Sequence, residues 1–410
     1  MLHRVNVEPK ALDEYQTIVG DEEITAIGAL AEPLRGARVL HVNATTFGGG
    51  VAEILQTLVP LMCHVGLDAQ WQVIAGEEEF FKITKAFHNG LQGMDLPLTE
   101  EMKEIWRRYN RKNGEAFEGE YDFAVVHDPQ PAGLCYYPGP RRVNRWIWRS
   151  HIDTSHPNPA FWEFITPFLQ PYDAAIFTRE QYVGAGLKLP RIAIMRPSID
   201  PLSPKNGPLP LGHAKKILAG LGIDLHRPLI SQISRYDPWK DPLGVIEVYR
   251  LVKKKVPKVQ LVLMASMAKD DPEGWEYLRR TKQCAGDDPD IFLLHFERNN
   301  DLEVNALQCL SDVVIQKSVR EGFGLVVTEA MWKGQAVVGG NVGGIPEQII
   351  DGETGFLVND VEECADRVLY LLQNPRRAKE MGTKARDRVR QNFLITRHLK
   401  DYLGLFLSLR

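Results

Sequence analysis

The chain has 410 residues, of which 44% are hydrophobic and 25% charged, with 34 Gly and 26 Pro. That length exceeds what one hydrophobic core usually organises, and the composition excludes a disordered chain, a fibre or a low-complexity scaffold, so two globular domains are expected. Lys and Arg number 49 against 53 Asp and Glu, a net charge of -4, which lacks the basic excess that nucleic-acid binding requires.

The five cysteines are scattered and form no C-x-x-C pair, which fits a reducing compartment and argues against a thiolate metal site. Residues 1–20 are polar and acidic, unlike a signal peptide. No apolar run reaches the roughly 18–20 residues that span a bilayer. A soluble, cytoplasmic protein that binds no membrane is expected.

Along the chain, short β-rich runs alternate with longer amphipathic stretches, the pattern of βαβ units and parallel sheets. In the first half, strands are expected at 38–43, 69–75, 123–127, 145–151, 174–177 and 192–195, with helices at 51–64, 78–89 and 101–116. The stretch 197–212 carries Pro197, Pro201, Pro204, Pro208 and Pro210, a density that stops regular structure and marks a domain boundary. Beyond it the pattern restarts, with strands at 228–234, 260–264, 291–296, 312–316, 336–339 and 355–358. Helices read at 242–255, 274–284, 302–309, 325–332, 361–373 and 376–391. The division expected is 1–210 (with an extension over 1–35), 211–392, and an amphipathic tail 393–410. The fold class is α/β, with two doubly wound Rossmann-like domains facing across a cleft. Such sheets bind ligands at the carboxyl ends of their strands.

Candidate chemistry falls at those strand ends. Thr45-Thr46-Phe47-Gly48-Gly49-Gly50 follows the first strand and opens a helix; its glycines allow close backbone approach to an anion, although a flexible capping loop would read the same way. Trp148-Arg149-Ser150-His151-Ile152-Asp153-Thr154-Ser155-His156 offers His151 as a donor to a hydroxyl or phosphate and Asp153 as an acceptor from a sugar hydroxyl. The spacing of His151, Asp153 and His156 matches no usual metal site, so no metal ligand is assigned. In Ser234–Pro242, Arg235 and Lys240 lie five apart in a turn stiffened by Pro238 and Pro242, so that both cations can converge on one diphosphate.

The sharpest signal is Arg320-Glu321-Gly322-Phe323-Gly324-Leu325-Val326-Val327-Thr328-Glu329. Glu321 can accept from ligand hydroxyls. The amides of Leu325 and Val326 would open a helix where a phosphate is stabilised, and Glu329 leans back toward that end, within reach of a diol. A capping role for Glu321 and a surface ion pair for Glu329 would account for either carboxylate alone. The glycine turns around Gly339–Gly344 and Asp351–Gly355 read as walls of the same site.

Together these residues resemble the retaining nucleotide-sugar glycosyltransferases of family 4, which have the GT-B fold. The likeness is strongest over 228–375 and extends to Gly48, Gly49, Gly50 and His151. Within that family the chain looks most like the trehalose glycosyltransferring synthases, which join the glucose of a nucleotide-glucose to free glucose. The segments suggesting this are 41–53, 149–157 and 234–242, with the acidic stretch 15–23. The resemblance implies that Arg235 and Lys240 hold the donor diphosphate, Glu321 the donor glucose and Glu329 the ribose. It further implies that Gly322, Phe323, Gly324, Leu325 and Val326 border sugar and phosphate, that His151 bonds the donor sugar near the reacting carbon, and that Gly50 lies on the donor side. Gly48, Gly49 and Asp153 fall to the acceptor side, and the tail is expected to form a helix crossing back to the first domain. No tightly bound cofactor is implied, magnesium being given only a stimulatory role through the nucleotide; a homodimer is plausible for an elongated two-domain enzyme. Competing expectations are a sucrose-, sucrose-phosphate- or glycogen-synthase-like glucosyltransferase, a GT-B nucleotide-sugar epimerase and a non-catalytic sensor.

Overall fold

The computed structural model describes residues 2–46, 49–266, 272–297 and 299–410. The chain divides into two compact units, Met1–Ser198 with Ile395–Arg410, and Ile199–Leu394.

The first unit is built on seven strands: β1 (His3–Arg4), β2 (Arg38–Asn43), β3 (Asp68–Val73), β4 (Gly119–His127), β5 (Arg141–Arg149), β6 (Ala174–Phe177) and β7 (Arg191–Ile194). They order as β1-β3-β2-β4-β5-β6-β7, parallel except for β1 against β3. β6 reads Ala-Ala-Ile-Phe and is buried throughout, as expected of a strand covered on both faces. β3, beside the short edge strand, alternates Asp68, Gln70 and Gln72 with buried Ala69, Trp71 and Val73. Helices Glu78–Leu91, Glu100–Glu115 and Pro159–Leu169 close one face around Phe87, Trp106, Phe161, Phe164 and Phe168. Thr99 caps the second of these by accepting from the Met102 amide at 3.2 Å.

The second unit has six parallel strands: β8 (Leu229–Ile233), β9 (Gln260–Ser266), β10 (Ile291–Phe296), β11 (Val313–Gln316), β12 (Val337–Gly340) and β13 (Phe356–Val358). Their order, β10-β9-β8-β11-β12-β13, is the Rossmann order 3-2-1-4-5-6, whose direction reverses between β8 and β11. The first unit reverses likewise between β2 and β4. These switch points open a crevice at the carboxyl ends of both strand pairs.

The division of the chain differs from the expected one at two places. The proline-rich stretch 199–210 goes with the second unit, because Asn305 Nδ2 donates to the carbonyls of Pro204 (2.9 Å) and Gly207 (3.0 Å) and Trp332 Nε1 donates to that of Asn206 (3.2 Å). Phe393 and Leu394 stay with the second unit as well. The helix Ile395–Leu409 belongs to the first unit, where Phe406 stacks on Phe123 at 4.4 Å and Lys400 Nζ meets Glu23 at 2.7 Å. Helices that the hydrophobic pattern left unassigned include Asp21–Ala31, Pro159–Leu169 and Leu211–Gly220.

Candidate active site

In the second unit the functional groups gather after β8 and β11. The turn following Ile233 is organised by Asp237, whose Oδ1 accepts from the amides of Trp239 (2.9 Å) and Lys240 (3.0 Å) and whose Oδ2 faces the Arg235 guanidinium at 3.2 Å. Asp241, at φ 49°, caps the helix Pro242–Lys253 through the Gly244 amide (3.0 Å) and pairs with Lys317. The Val319 amide donates to the Trp239 carbonyl at 2.8 Å, which ties the two loops together. Across that tie Lys240 Nζ meets Glu321 Oε2 at 2.5 Å, and Ser318 Oγ donates to the same oxygen at 3.2 Å.

Gly324 turns the chain into the helix Leu325–Trp332. Its φ of 83° is left-handed, and a Cβ there would sit 3.1 Å from Glu321 Cγ, so glycine satisfies both backbone and packing. Behind it Gln348 Nε2 donates to the carbonyl of Phe323, while its Oε1 accepts from Thr328 Oγ1 at 2.5 Å. The loop is thereby fixed from inside. Leu325 and Val326 occupy the first turn of the helix, where backbone amides have no internal acceptor and the dipole favours an anion. Glu329 is buried, its Oε2 3.3 Å from Gln308 Nε2 and its Oε1 3.7 Å from Lys205 Nζ. Beside it Lys333 donates to Asn206 Oδ1 at 3.0 Å, and burial lowers its amine to about 8.

In the first unit the groups follow β2, β4 and β5. Asn43 steadies the loop after β2, donating to the Thr45 carbonyl (2.7 Å) and accepting from Trp71 Nε1 (2.7 Å). Gly49 precedes the helix Gly50–His64, while Gly48 lies outside the described residues. His151 is half-buried just past β5. Its amide donates at 2.8 Å to Oδ1 of Asp128, which follows β4 with a φ of 65°. His151 Nε2 lies 2.9 Å from His127 Nδ1, and His127 Nε2 lies 3.0 Å from Nδ1 of His41. Burial holds His41 at about 3 and keeps His127 and His151 well below the ordinary imidazole value. Burial pushes Asp128 up to about 7. Asp153 is buried, its Oδ1 accepting from the Ser155 amide (3.0 Å) and hydroxyl (2.6 Å).

The sequence-derived residues thus fall into two sets. Arg235, Lys240, Glu321, Gly322, Phe323, Gly324, Leu325, Val326 and Glu329 cluster in the second unit; Gly49, Gly50, His151 and Asp153 lie at strand ends of the first. Lys240 and Glu321 meet directly, whereas Arg235 turns to Asp237. Sequence reasoning passed over Asp237, Lys317 and Ser318, which brace the Lys240–Glu321 pair, Lys205 and Gln308, which flank Glu329, and His41, His127 and Asp128, which support His151. Position was the available signal: His127-Asp128 and Lys317-Ser318 each stand at the carboxyl end of an expected strand. Among the described residues no group of three or more His, Cys, Asp and Glu side chains is arranged to hold a metal ion, and no helix is long and apolar enough to cross a membrane.

Comparison with known proteins identifies the family. Residues 41–184 match the family model described as the trehalose synthase N-terminal domain, and residues 214–388 match glycosyl transferases group 1. The trehalose synthase of Pyrococcus horikoshii is 50% identical over 403 residues, covering 98% of this chain and 97% of that protein. The trehalose synthase of Rubrobacter xylanophilus is 51% identical over 414 residues, covering 100% and 99%. Among solved structures, an α,α-trehalose-phosphate synthase (UDP-forming) from Burkholderia xenovorans in complex with glucose 6-phosphate superposes with a TM-score of 0.72 at 15% identity, covering 91% of this chain and all of that one. The fold is therefore that of the GT-B glycosyltransferases, and the chain is a glycosyltransferase belonging to the trehalose synthase family.

Proposed function

We propose that the protein transfers glucose from a nucleotide-glucose to free glucose, with retention of configuration, giving α,α-trehalose and a nucleoside diphosphate. The observation that supports this reading best is the second-unit cluster: an ammonium, a carboxylate and a helix amino terminus, all held by one pair of braced loops.

In this scheme the bond between the donor's anomeric carbon and its phosphate oxygen breaks, and the acceptor hydroxyl oxygen bonds that carbon from the same face. The acceptor proton passes to the departing phosphate oxygen. Positive charge grows on the sugar ring and negative charge on the diphosphate. Arg235, Lys240 and the amides of Leu325 and Val326 stabilise the latter, which is commonly the largest catalytic contribution. Glu321 accepts from hydroxyls of the donor glucose, Glu329 from the ribose, and Gly322, Phe323 and Gly324 shape the wall between them. His151 bonds the donor sugar, while Gly50 borders the donor and Gly48, Gly49 and Asp153 the acceptor. Lys240 and Glu321 pair with one another; donor binding exchanges that contact for a phosphate on the ammonium and a sugar on the carboxylate. No tightly bound cofactor enters the scheme, and magnesium acts only through the nucleotide. The proposal takes the enzyme to be a cytoplasmic homodimer.

The test is to incubate the protein with ADP-, UDP- or GDP-glucose, with and without glucose, while following nucleotide release and sugar products. Glucose-dependent release with a non-reducing α,α-linked disaccharide is expected. Release with fructose 6-phosphate or glucose 6-phosphate alone would replace the acceptor, and donor binding without release would overturn transfer altogether.

A further inference from the structure

Three buried or half-buried histidines form a continuous line in the first unit, and the proposed mechanism uses only one of them. His41 lies on β2, His127 ends β4 and His151 follows β5. These strands are neighbours, and their register explains the line. His41 pairs with Val125, two residues before His127, and His127 pairs with Arg149, two residues before His151. Side chains alternate between faces, so the three rings project from one face along a diagonal. They join end to end, Nδ1 of His41 to Nε2 of His127 at 3.0 Å and Nδ1 of His127 to Nε2 of His151 at 2.9 Å. His127 and His151 also stack, with centroids 5.2 Å apart and planes at 16°.

We propose that His127 and His41 are positioning residues that fix both the orientation and the proton of His151, presenting Nδ1–H to the donor sugar. The inference rests on the glucosyl-transfer reading above. A neutral imidazole has one N–H and one acceptor nitrogen, so the proton position in one ring dictates that of the next. The far end of the line is His41 Nε2, which is buried and has no hydrogen-bond partner. A buried N–H without an acceptor is the rarer defect, so His41 carries its proton on Nδ1 and donates to His127 Nε2. His127 then donates from Nδ1 to His151 Nε2. The proton of His151 is left on Nδ1, the nitrogen that His127 does not engage.

With these proton positions a second proton on Nε2 of His127 or His151 would set two N–H groups against each other, and one on Nε2 of His41 would leave a buried N–H without an acceptor. The surroundings disfavour a charged ring: the Arg149 guanidinium lies on the same face, and the helix Ile395–Leu409 adds His398, Arg397, Tyr402 and Asp401, with Tyr402 edge-on to His41 at 5.5 Å. Asp128 is the acid on the other side, and it is bonded to the His151 amide. Burial favours the neutral form of all three rings.

Nitrogen-15 NMR on histidine-labelled wild-type protein at pH 7.5 reads the tautomers directly, with signals assigned through His41→Gln and His127→Gln. Three neutral rings protonated on Nδ1 are expected; an Nε2–H on His151, or any charged member, overturns the proposal. In steady-state assays His127→Phe, which keeps a stacked ring but neither nitrogen, should lower kcat roughly 10- to 100-fold through misorientation, with donor KM changed less than about threefold. It should also introduce a pH dependence near the ordinary imidazole value of about 6.5. His127→Gln, whose amide both accepts and donates, should recover most of kcat. Equal losses in both variants, or an effect on KM alone, would refute the relay. Should wild type transfer no glucose, the spectrum still decides the relay while the function falls.

Discussion

Removing the Lys240 ammonium separates its two roles. Its side chain is 17% exposed and that of Glu321 9% exposed, so Lys240→Ala leaves a largely covered carboxylate whose remaining polar partner among those above is Ser318 Oγ. Breaking a fully buried pair costs about 3–5 kcal/mol; with this much residual water contact and the Ser318 donor retained, we expect about 2–3 kcal/mol. Adding Glu321→Gln removes the stranded charge and should return stability to within about 1 kcal/mol of wild type, since only a neutral hydrogen bond is then at stake. Catalysis behaves differently. An anion-stabilising donor is worth on the order of 10²–10³ in kcat, and the second substitution cannot restore it. The single variant should be both slow and less stable, the double variant stable and slow. Urea midpoints and nucleotide release measured on the same preparations give both readings. The reasoning fails if Lys240→Ala retains kcat within about threefold, or if the double variant is no more stable than the single.

Gly324→Ala forces a left-handed residue and a Cβ 3.1 Å from Glu321 Cγ; a loss of about 1–2 kcal/mol in stability with a raised donor KM is expected from denaturation and kinetics. Burial lets Asp128 hold its proton to about pH 7 in the folded protein, against an ordinary aspartate value of 3.8. The folded state binds more protons than the unfolded one between those values, so this group's contribution to stability falls as pH rises from about 4 to 7. Asp128→Asn keeps the acceptor and tolerates the positive φ; urea midpoints of variant minus wild type should climb over that window, and parallel curves would refute the assignment. Asn305→Ala strips the donors from the Pro204 and Gly207 carbonyls, and limited proteolysis should then cut faster within 199–210 than in wild type.

Much of the fold was legible because short apolar-rich runs bounded by turns mark the strands, whether buried throughout as in β6 or at a sheet edge as in β10: β2, β6 and β10, and the helices Leu325–Trp332 and Val361–Gln373, stand at the expected residues. What escaped depends on tertiary pairing. β5 begins at Arg141 rather than 145 because Arg141, Arg142 and Val143 pair with Gly119, Glu120 and Tyr121, which nothing in Arg-Arg-Val-Asn announces. The helix Pro159–Leu169 carries its start signals, Asn158 as cap and Pro159 in the first turn, and a helical period in Phe161, Trp162, Phe164, Ile165, Phe168 and Leu169, but Pro167 inside it reads as a helix breaker. The Glu321–Glu329 string was legible because loop, helix start and carboxylates are contiguous in the chain.

The histidine line was invisible for the opposite reason. His41, His127 and His151 are 86 and 24 residues apart, and His41 and His127 each alone read as ordinary buried histidines. Only the register of β2, β4 and β5 converts three such residues into one hydrogen-bonded object. The same holds for Lys205 and Gln308, which reach Glu329 from segments 124 and 21 positions away. The residues assigned to the ligand sit in contiguous strand-to-helix turns, whereas His127 and His41, which line up behind His151, each lie one strand over and two residues back. A search that takes each strand-end residue and steps diagonally across the register would recover His127 from His151, and His41 from His127, before any side chain is placed.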